Sequence, residues 1–533
     1  MLTRRVATVG LAGVLALAAA CTGSSVGARH AASSSPRQSA ASGAAGQVGA
    51  TGAASAGIDV AAENAKVGTS GWTLNDDALG AQDAIEGYTD LASVAPGESF
   101  KLYVSTTASS FVATAYRIGY YSGTDGTKVW ESGRTPGVHQ TAQSFVSATR
   151  TVECDWQPSM TVDTAGWVPG EYLIKLVSSS GNQRYVPLVV HSTSTAGKVV
   201  ILAGITTWQA YNTWGGYSLY QGPNGAYDTR AYAVSFDRPY IDPDEPEGDG
   251  LFFPFDQALV SFVEQHDLPV AYETDLELET SPQLFDGARG IVSDGHDEYY
   301  SANMRATLQN ARDKQGTNLA FLGANAIFRH IRWGSTQLGP DRLVICYKDY
   351  SIDPVYSSDP ADATQDWRYA PDPRPENALT GSLYQCNPVN AAYVVYDPDN
   401  WIFAGTGVTQ GTSFPGLVGP EYDRVVDIAT TPHPIEVLSH SPLTCGGSAS
   451  AQESSYYTVA SGAGVFDAAT MRWECALGSE CSTHFGAAAR VFVRKATLNL
   501  LTAFAQGPVG KVHPAVDNTV ADNVPTGEGL GID

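Results

Sequence analysis

The chain divides by the spacing of its apolar residues. From residue 58 to about 192 the apolar positions come in short runs, such as Phe100–Val104, Phe111–Tyr116 and Glu171–Leu176. Turn clusters separate them, among them Ala95-Pro-Gly-Glu98, Ser122-Gly-Thr-Asp-Gly126 and Val168-Pro-Gly-Glu171. Strands at this spacing without a helical period predict an all-β, immunoglobulin-like sandwich over 58–192. After the linker Thr193–Gly197 the pattern changes. Lys198–Ile205 is an unbroken apolar run that reads as a buried parallel strand. Phe255–Gln265 has apolar residues at helical spacing, Pro269–Tyr272 and Gly290–Ser293 read as strands, and Ser301 caps a helix through Lys314. Asn318–Leu322 is a fourth strand, Gly486–Ala505 a long amphipathic helix, and 335–480 is loop-rich with isolated strands at Trp401–Ala404 and Tyr456–Val465. Strands separated by helices predict βαβ units, hence an α/β domain with a mainly parallel, flavodoxin-like sheet over 198–510 and a loose tail at 511–533.

The first residues add an expectation about location. Two arginines in Met1–Arg5, an apolar stretch too short to span a bilayer, and Ala18-Ala-Ala-Cys21 read as a lipoprotein signal peptide (1–21) with Cys21 lipidated. Cleavage that leaves a secreted product is the alternative. Residues 22–57 are Ala, Ser and Gly and read as a disordered tether. The expected product is extracytoplasmic and touches the membrane through its lipid anchor only. The net charge of −24 argues against nucleic acid as a partner. Six mature cysteines besides Cys21 in an oxidising compartment predict up to three disulfides, with Cys475–Cys481 closing a small loop as the first candidate and Cys346–Cys386 as the second.

Ligands of open parallel sheets bind beyond the carboxyl ends of the strands. The first strand is followed there by Thr206–Gly216, dense in aromatics and carrying Trp208, Tyr211 and Asn212 as pocket candidates. The second is followed by Asp275, and the third by Asp294-Gly-His-Asp-Glu-Tyr-Tyr300. His296, Asp297, Glu298 and Asp275 are therefore the candidate catalytic residues. A nucleophile elbow, a thiol nucleophile and a dinucleotide loop are not in evidence. The acidic loop 242–249 reads as solvated, with a calcium loop as its rival.

Thr207–Asn212, Val234–Tyr240, Gly295–Tyr299, Asn318–Phe321, Pro375–Gly381, Gly405–Gly407, Pro415–Gly419 and Val465–Trp473 follow one another in an order that resembles the C-terminal domain of the N,N-dimethylformamidase β subunit. The resemblance implies a sheet like that of class I glutamine amidotransferases. It also implies hydrolysis of a small amide at a mononuclear iron held by two tyrosines and a glutamate. Tyr299 takes the place of one tyrosine and Glu376 that of the glutamate. The second tyrosine would fall near 255–259, where the chain reads Phe255-Asp-Gln-Ala-Leu259, leaving Tyr240, Tyr272 or Asp256 as substitutes. Two functions stay open: a hydrolase of a C–N bond in a small polar substrate, and a surface protein that binds a saccharide or wall polymer.

Overall fold

The computed structural model describes residues 59–242, 246–478 and 483–520. Cys21 and Cys481 lie outside them, as do residues 243–245 of the acidic loop. The N-terminal part is built from β1 (Ile85–Thr89), β2 (Ser99–Thr106), β3 (Ser110–Ile118), β4 (Gly126–Glu131), β5 (Met160–Asp163), β6 (Gly170–Ser178) and β7 (Gln183–Val190). β1, β2 and β5 pair antiparallel in one sheet; β7, β6, β3 and β4 run side by side in another. Ile174 of β6 lies between Ala115 of β3 and Val186 of β7. Inward positions of the two sheets, including Ile85, Leu102, Val104, Ala113, Ile174 and Val186, share one buried cluster. Their alternation along the strands is what lets two sheets close over a common core.

The main sheet has seven strands: β8 (Val199–Ala203), β9 (Val270–Thr274), β10 (Gly290–Ser293), β11 (Asn318–Phe321), β12 (Ile435–Val437), β13 (Ser455–Thr458) and β14 (Gly464–Asp467), in the order β9-β8-β10-β11-β14-β13-β12. β8 is buried at every position, as an unbroken apolar run requires of a strand covered on both faces. The helices beside it are α1 (Ile205–Tyr211), α2 (Gln257–Gln265), α3 (Asp275–Thr280), α4 (Ala302–Asn310), α5 (Arg472–Cys475) and α6 (Ala487–Gln506). α6 buries Phe492, Val493, Ala496, Leu500 and Phe504, a stripe at helical spacing.

The expected mainly parallel, flavodoxin-like or glutamine-amidotransferase-like α/β fold is overturned. Strands predominate, and they are spread over many small antiparallel and mixed sheets with few helices. Within the main sheet, parallel pairing joins β9, β8, β10, β11 and β14, and β13 and β12 continue it antiparallel. The reason lies in residues 323–470, where strands of two to six residues alternate with Gly-, Pro- and Asp-rich turns. They pair locally as ribbons instead of forming helix-bearing crossovers. Trp401–Phe403, expected as strand, is a 3-10 turn. Tyr456–Val465, expected as one strand, holds the turn between β13 and β14. The cysteine pairing also differs: Cys386 bonds Cys445, while Cys346 is a buried free thiol. Cys386–Cys445 joins neighbouring ribbons that sequence spacing could not place together. Cys475 is disulfide-bonded. Among the described residues no helix is long and apolar enough to cross a membrane.

Candidate active site

β8 and β10 end side by side, and the segments that leave them meet. The turn after β10 is held by a close backbone approach: a Cβ on Gly323 would lie 1.5 Å from the carbonyl oxygen of Gly295, so only glycine fits there. Beyond the turn, Tyr299–Tyr300 pairs in parallel with Arg329–His330. The Arg329 amide donates to the Glu298 carbonyl at 2.8 Å, and the Glu298 amide donates to Thr207 Oγ1 at 3.0 Å. Glu298 is thus fixed from both the α1 side and the Arg329 side.

Side chains of this turn separate into two groups. His296, Glu298 and Tyr299 are buried and meet Tyr211 and Tyr220. Tyr220 donates its hydroxyl to Glu298 Oε2 at 2.6 Å, with Tyr211 Oη at 3.4 Å from the same oxygen. Arg329 Nε donates to Glu298 Oε1 at 3.0 Å. His296 Nε2 lies 3.6 Å from Glu298 Oε2 and 3.9 Å from Glu421 Oε2. Lys348 Nζ stands 3.2 Å from the centroid of the Tyr220 ring. Four polar atoms here are buried without a hydrogen-bond partner: His296 Nε2, Tyr299 Oη, Lys348 Nζ and Glu421 Oε2. Two of the four, His296 Nε2 and Glu421 Oε2, stand 3.9 Å apart, so unpaired groups of complementary chemistry face one another here. Tyr211, Tyr220 and Lys348 are only half-buried, and Asn387, which donates to Glu421 Oε1 at 2.7 Å, is exposed. The cluster therefore lies close to the surface.

Burial sets the protonation states. It lowers His296 to about 4, outweighing the attraction of Glu298. Lys348 falls to about 7 through burial and the neighbouring Arg329 charge. Glu421 rises to about 8 through burial and repulsion from Glu298. Burial also pushes Glu298 upward, but Arg329, Lys348, His296 and the Tyr220 hydroxyl together hold it below its ordinary value. The three tyrosines are raised well above theirs, chiefly by burial, and remain phenols. At neutral pH the cluster thus holds one fixed carboxylate, a neutral imidazole, phenol donors, and an amine and a carboxyl poised to exchange protons.

Several expected residues serve elsewhere. Asp297 accepts from Ser293 at 2.8 Å and Tyr300 at 2.5 Å, and faces Asp275 rather than Glu298. Asp275 Oδ2 accepts the Thr206 amide at 3.0 Å, at the start of α1. Asn212 bonds Gln209, Pro239 O and the amides of Trp214 and Ile241, so it pins a loop. Trp208 is 4% exposed and packs on Tyr240. Glu376 is taken up by an ion pair with Arg368 and by the Tyr384 amide. Tyr272 donates to Glu264 at 2.7 Å, and Asp256 joins Glu171 and Asp294. Tyr220, Arg329, Lys348 and Glu421 were not visible as site residues in the sequence. Tyr220 continues the aromatic run after Gly216, and Glu421 stands two residues past Pro415–Gly419; those were the only signals.

Comparison with known proteins gives one informative match. No curated protein sequence matches the chain. Among solved structures, a cycloisomaltooligosaccharide glucanotransferase of Paenibacillus sp. complexed with cycloisomaltoheptaose is 11% identical, with a TM-score of 0.14. That match covers 36% of this chain and 27% of the other, and carries no inference. The family model described as "N,N-dimethylformamidase beta subunit-like, C-terminal" matches residues 112–484. It starts within β3, so the family's signature reaches back into the N-terminal sheets as well as spanning the site. This chain belongs to the N,N-dimethylformamidase β-subunit-like family.

Proposed function

We propose that the protein hydrolyses the C–N bond of a small polar amide at the cluster around Glu298. The observation that carries this reading is the set of four unpartnered buried polar atoms, with complementary proton-transfer character, around one fixed carboxylate. Membership of an amidase-like family agrees with it.

The roles follow from the protonation states. The substrate carbonyl oxygen would accept a hydrogen bond from a phenol, Tyr299 Oη being free to give one. Neutral His296 would take a proton from the attacking water and return it to the departing amine nitrogen, leaving a carboxylic acid and an amine. Glu298, 3.6 Å from His296 Nε2, would balance the transient charge on the imidazole, while Arg329 and Tyr220 keep Glu298 in place. Lys348 and Glu421 would supply a second donor and acceptor.

The family implies a mononuclear metal ion. The donor chemistry fits: Tyr299 Oη and Glu421 Oε2 are buried, oxygen-bearing and without partners, and Tyr220 is a neighbouring second tyrosine, its ring 6.5 Å from that of Tyr299. Tyr299 and Glu421, rather than Glu376 or the 255–259 helix, would hold it, and with the ion bound Tyr299 would serve as a ligand in place of donating to the substrate carbonyl. Such an ion supplies carbonyl polarisation and a more acidic water. For a saccharide- or wall-binding surface protein, Trp208 would need to face solvent, and it is 4% exposed.

The test is amine release from N,N-dimethylformamide and related short amides by wild type and Glu298→Gln. We expect release by wild type and a loss of at least about 100-fold in the variant, the usual scale for a general acid–base apparatus. Equal rates in the two proteins would refute the assignment.

A further inference from the structure

We propose that Glu171, Asp256 and Asp294, with Glu474 alongside, bind one hard divalent cation, calcium by preference, which fastens the N-terminal sheets to the main sheet. One carboxylate oxygen from each of the first three lies within 4.8 Å of the others, and all three residues are buried. Oxygen ligands of one calcium ion sit at about 2.3–2.6 Å from it, so opposed ligands are separated by roughly 5 Å, and this spacing fits. The four residues come from separate elements: Glu171 from β6, Asp256 from the start of α2, Asp294 from the end of β10 and Glu474 from α5. Nothing in local sequence would gather them.

The independent observation is the absence of any other use for their oxygens. Both oxygens of Glu171, both of Asp256, Oδ2 of Asp294 and Oε1 of Glu474 are buried with no hydrogen-bond partner. Glu474 is itself 0% exposed, and its other oxygen takes the Gly295 amide at 2.5 Å, beside Asp294. The Arg117 guanidinium, whose field reaches Glu171, is already bonded to Glu264 and the Pro169 carbonyl. Unpaired buried carboxylates cost several kcal/mol each, so positive charge must be supplied in some form. Protons can supply part of it: burial and mutual repulsion raise all four groups above their ordinary range. One proton shared between Asp256 and Asp294 would still leave Glu171 and Glu474 Oε1 without partners. A cation among the three would satisfy Glu171, Asp256 and Asp294 together and place positive charge beside Glu474. The ligand set is all oxygen, which excludes the soft-metal preference of thiolate and imidazole sites. Magnesium retains waters, so a buried set of three carboxylates favours calcium.

This site is separate from the proposed amidase cluster and does not depend on it. The test uses the full chain stripped with EDTA and desalted. Calcium is titrated in by calorimetry, bound metal is counted by mass spectrometry, and melting is followed with and without the ion. The expected result is about one equivalent of calcium bound and a Tm that falls by at least about 5 °C in EDTA and recovers with calcium but not with sodium. Asp256→Asn combined with Glu171→Gln abolishes uptake and makes melting indifferent to EDTA. Should that variant fail to fold, Asp256→Asn alone weakens binding at least tenfold. Tyr299→Phe keeps the calcium equivalent, which separates this site from the amidase cluster. Failure of the wild type to take up calcium, magnesium or manganese at millimolar concentration, with EDTA leaving Tm unmoved, overturns the proposal. So does a full equivalent retained by the double variant.

Discussion

Arg117→Met should be among the most damaging substitutions in the chain. Arg117 leaves β3 and meets Glu264 of α2, with both side chains 0% exposed. Its Nη2 donates to Glu264 Oε1 at 2.5 Å and its Nη1 to Oε2 at 3.2 Å, while Nε and Nη2 reach the Pro169 carbonyl. Gly170, at φ +152°, passes so close that a Cβ there would stand 2.7 Å from Arg117 Nε. The methionine variant fills the space but strands Glu264 with only the Tyr272 hydroxyl. Removing one partner of a buried pair costs about 3–5 kcal/mol, whereas removing both with apolar replacements costs far less. Arg117→Met combined with Glu264→Leu should therefore recover at least about 2 kcal/mol of what the two single changes predict together. Urea unfolding of the four proteins, followed by tryptophan fluorescence and far-ultraviolet dichroism, measures the cycle. A single-variant cost below about 1 kcal/mol, or a double variant equal to the sum of the singles, would refute the reasoning.

Glu86 tests an adjoining contact through pH: burial raises it to about 7 despite the Trp214 indole donating at 2.7 Å. The folded state holds this proton more tightly than the unfolded chain, so the contribution is complete below the ordinary pKa of 4.5 and is lost as pH rises through about 7. Glu86→Gln should flatten the stability profile between pH 5 and 8 by up to roughly 3 kcal/mol, and an unchanged slope in urea melts would count against it. Cys386→Ala should lower stability by about 2–4 kcal/mol, because the bond to Cys445 closes a loop of sequence separation 59; calorimetry of variant and wild type decides this. Asn212→Ala should cost about 1–3 kcal/mol by orphaning the Trp214 and Ile241 amides, with KM for any amide unchanged, and a raised KM at full stability would restore Asn212 to the pocket.

What the sequence disclosed followed local pattern. β8, β10 and α6 were legible because an unbroken apolar run, a short apolar segment between turn residues and a helical stripe are each set by their own neighbours. The position of β14 next to β11 was not, since about 140 residues of ribbons intervene and no periodicity encodes that pairing. The turn 294–300 stood out by its chemistry, yet its carboxylates divide between two environments. Asp294 and Asp297 face inward while Glu298 faces Tyr220, and that division depends on the backbone turn at Gly295. Arg329, Lys348 and Glu421 reach the site from loops whose sequences carry no signature, and only the folded chain brings them to Glu298. The disulfide shows the same limit, since Cys386 bonds the cysteine 59 residues on instead of one nearer in sequence.

The most direct test of the account is single-turnover and steady-state amine release from a panel of short N-substituted amides, by wild type and by His296→Asn. Folding of both is checked by melting, and the metal content of both is measured. The account predicts that wild type releases amine and acid in equal amounts. His296→Asn, folded and with unchanged metal, should lose at least about 100-fold in kcat with little change in KM. A folded wild type that releases no amine from any member of the panel, or a His296→Asn protein as fast as wild type, would contradict it.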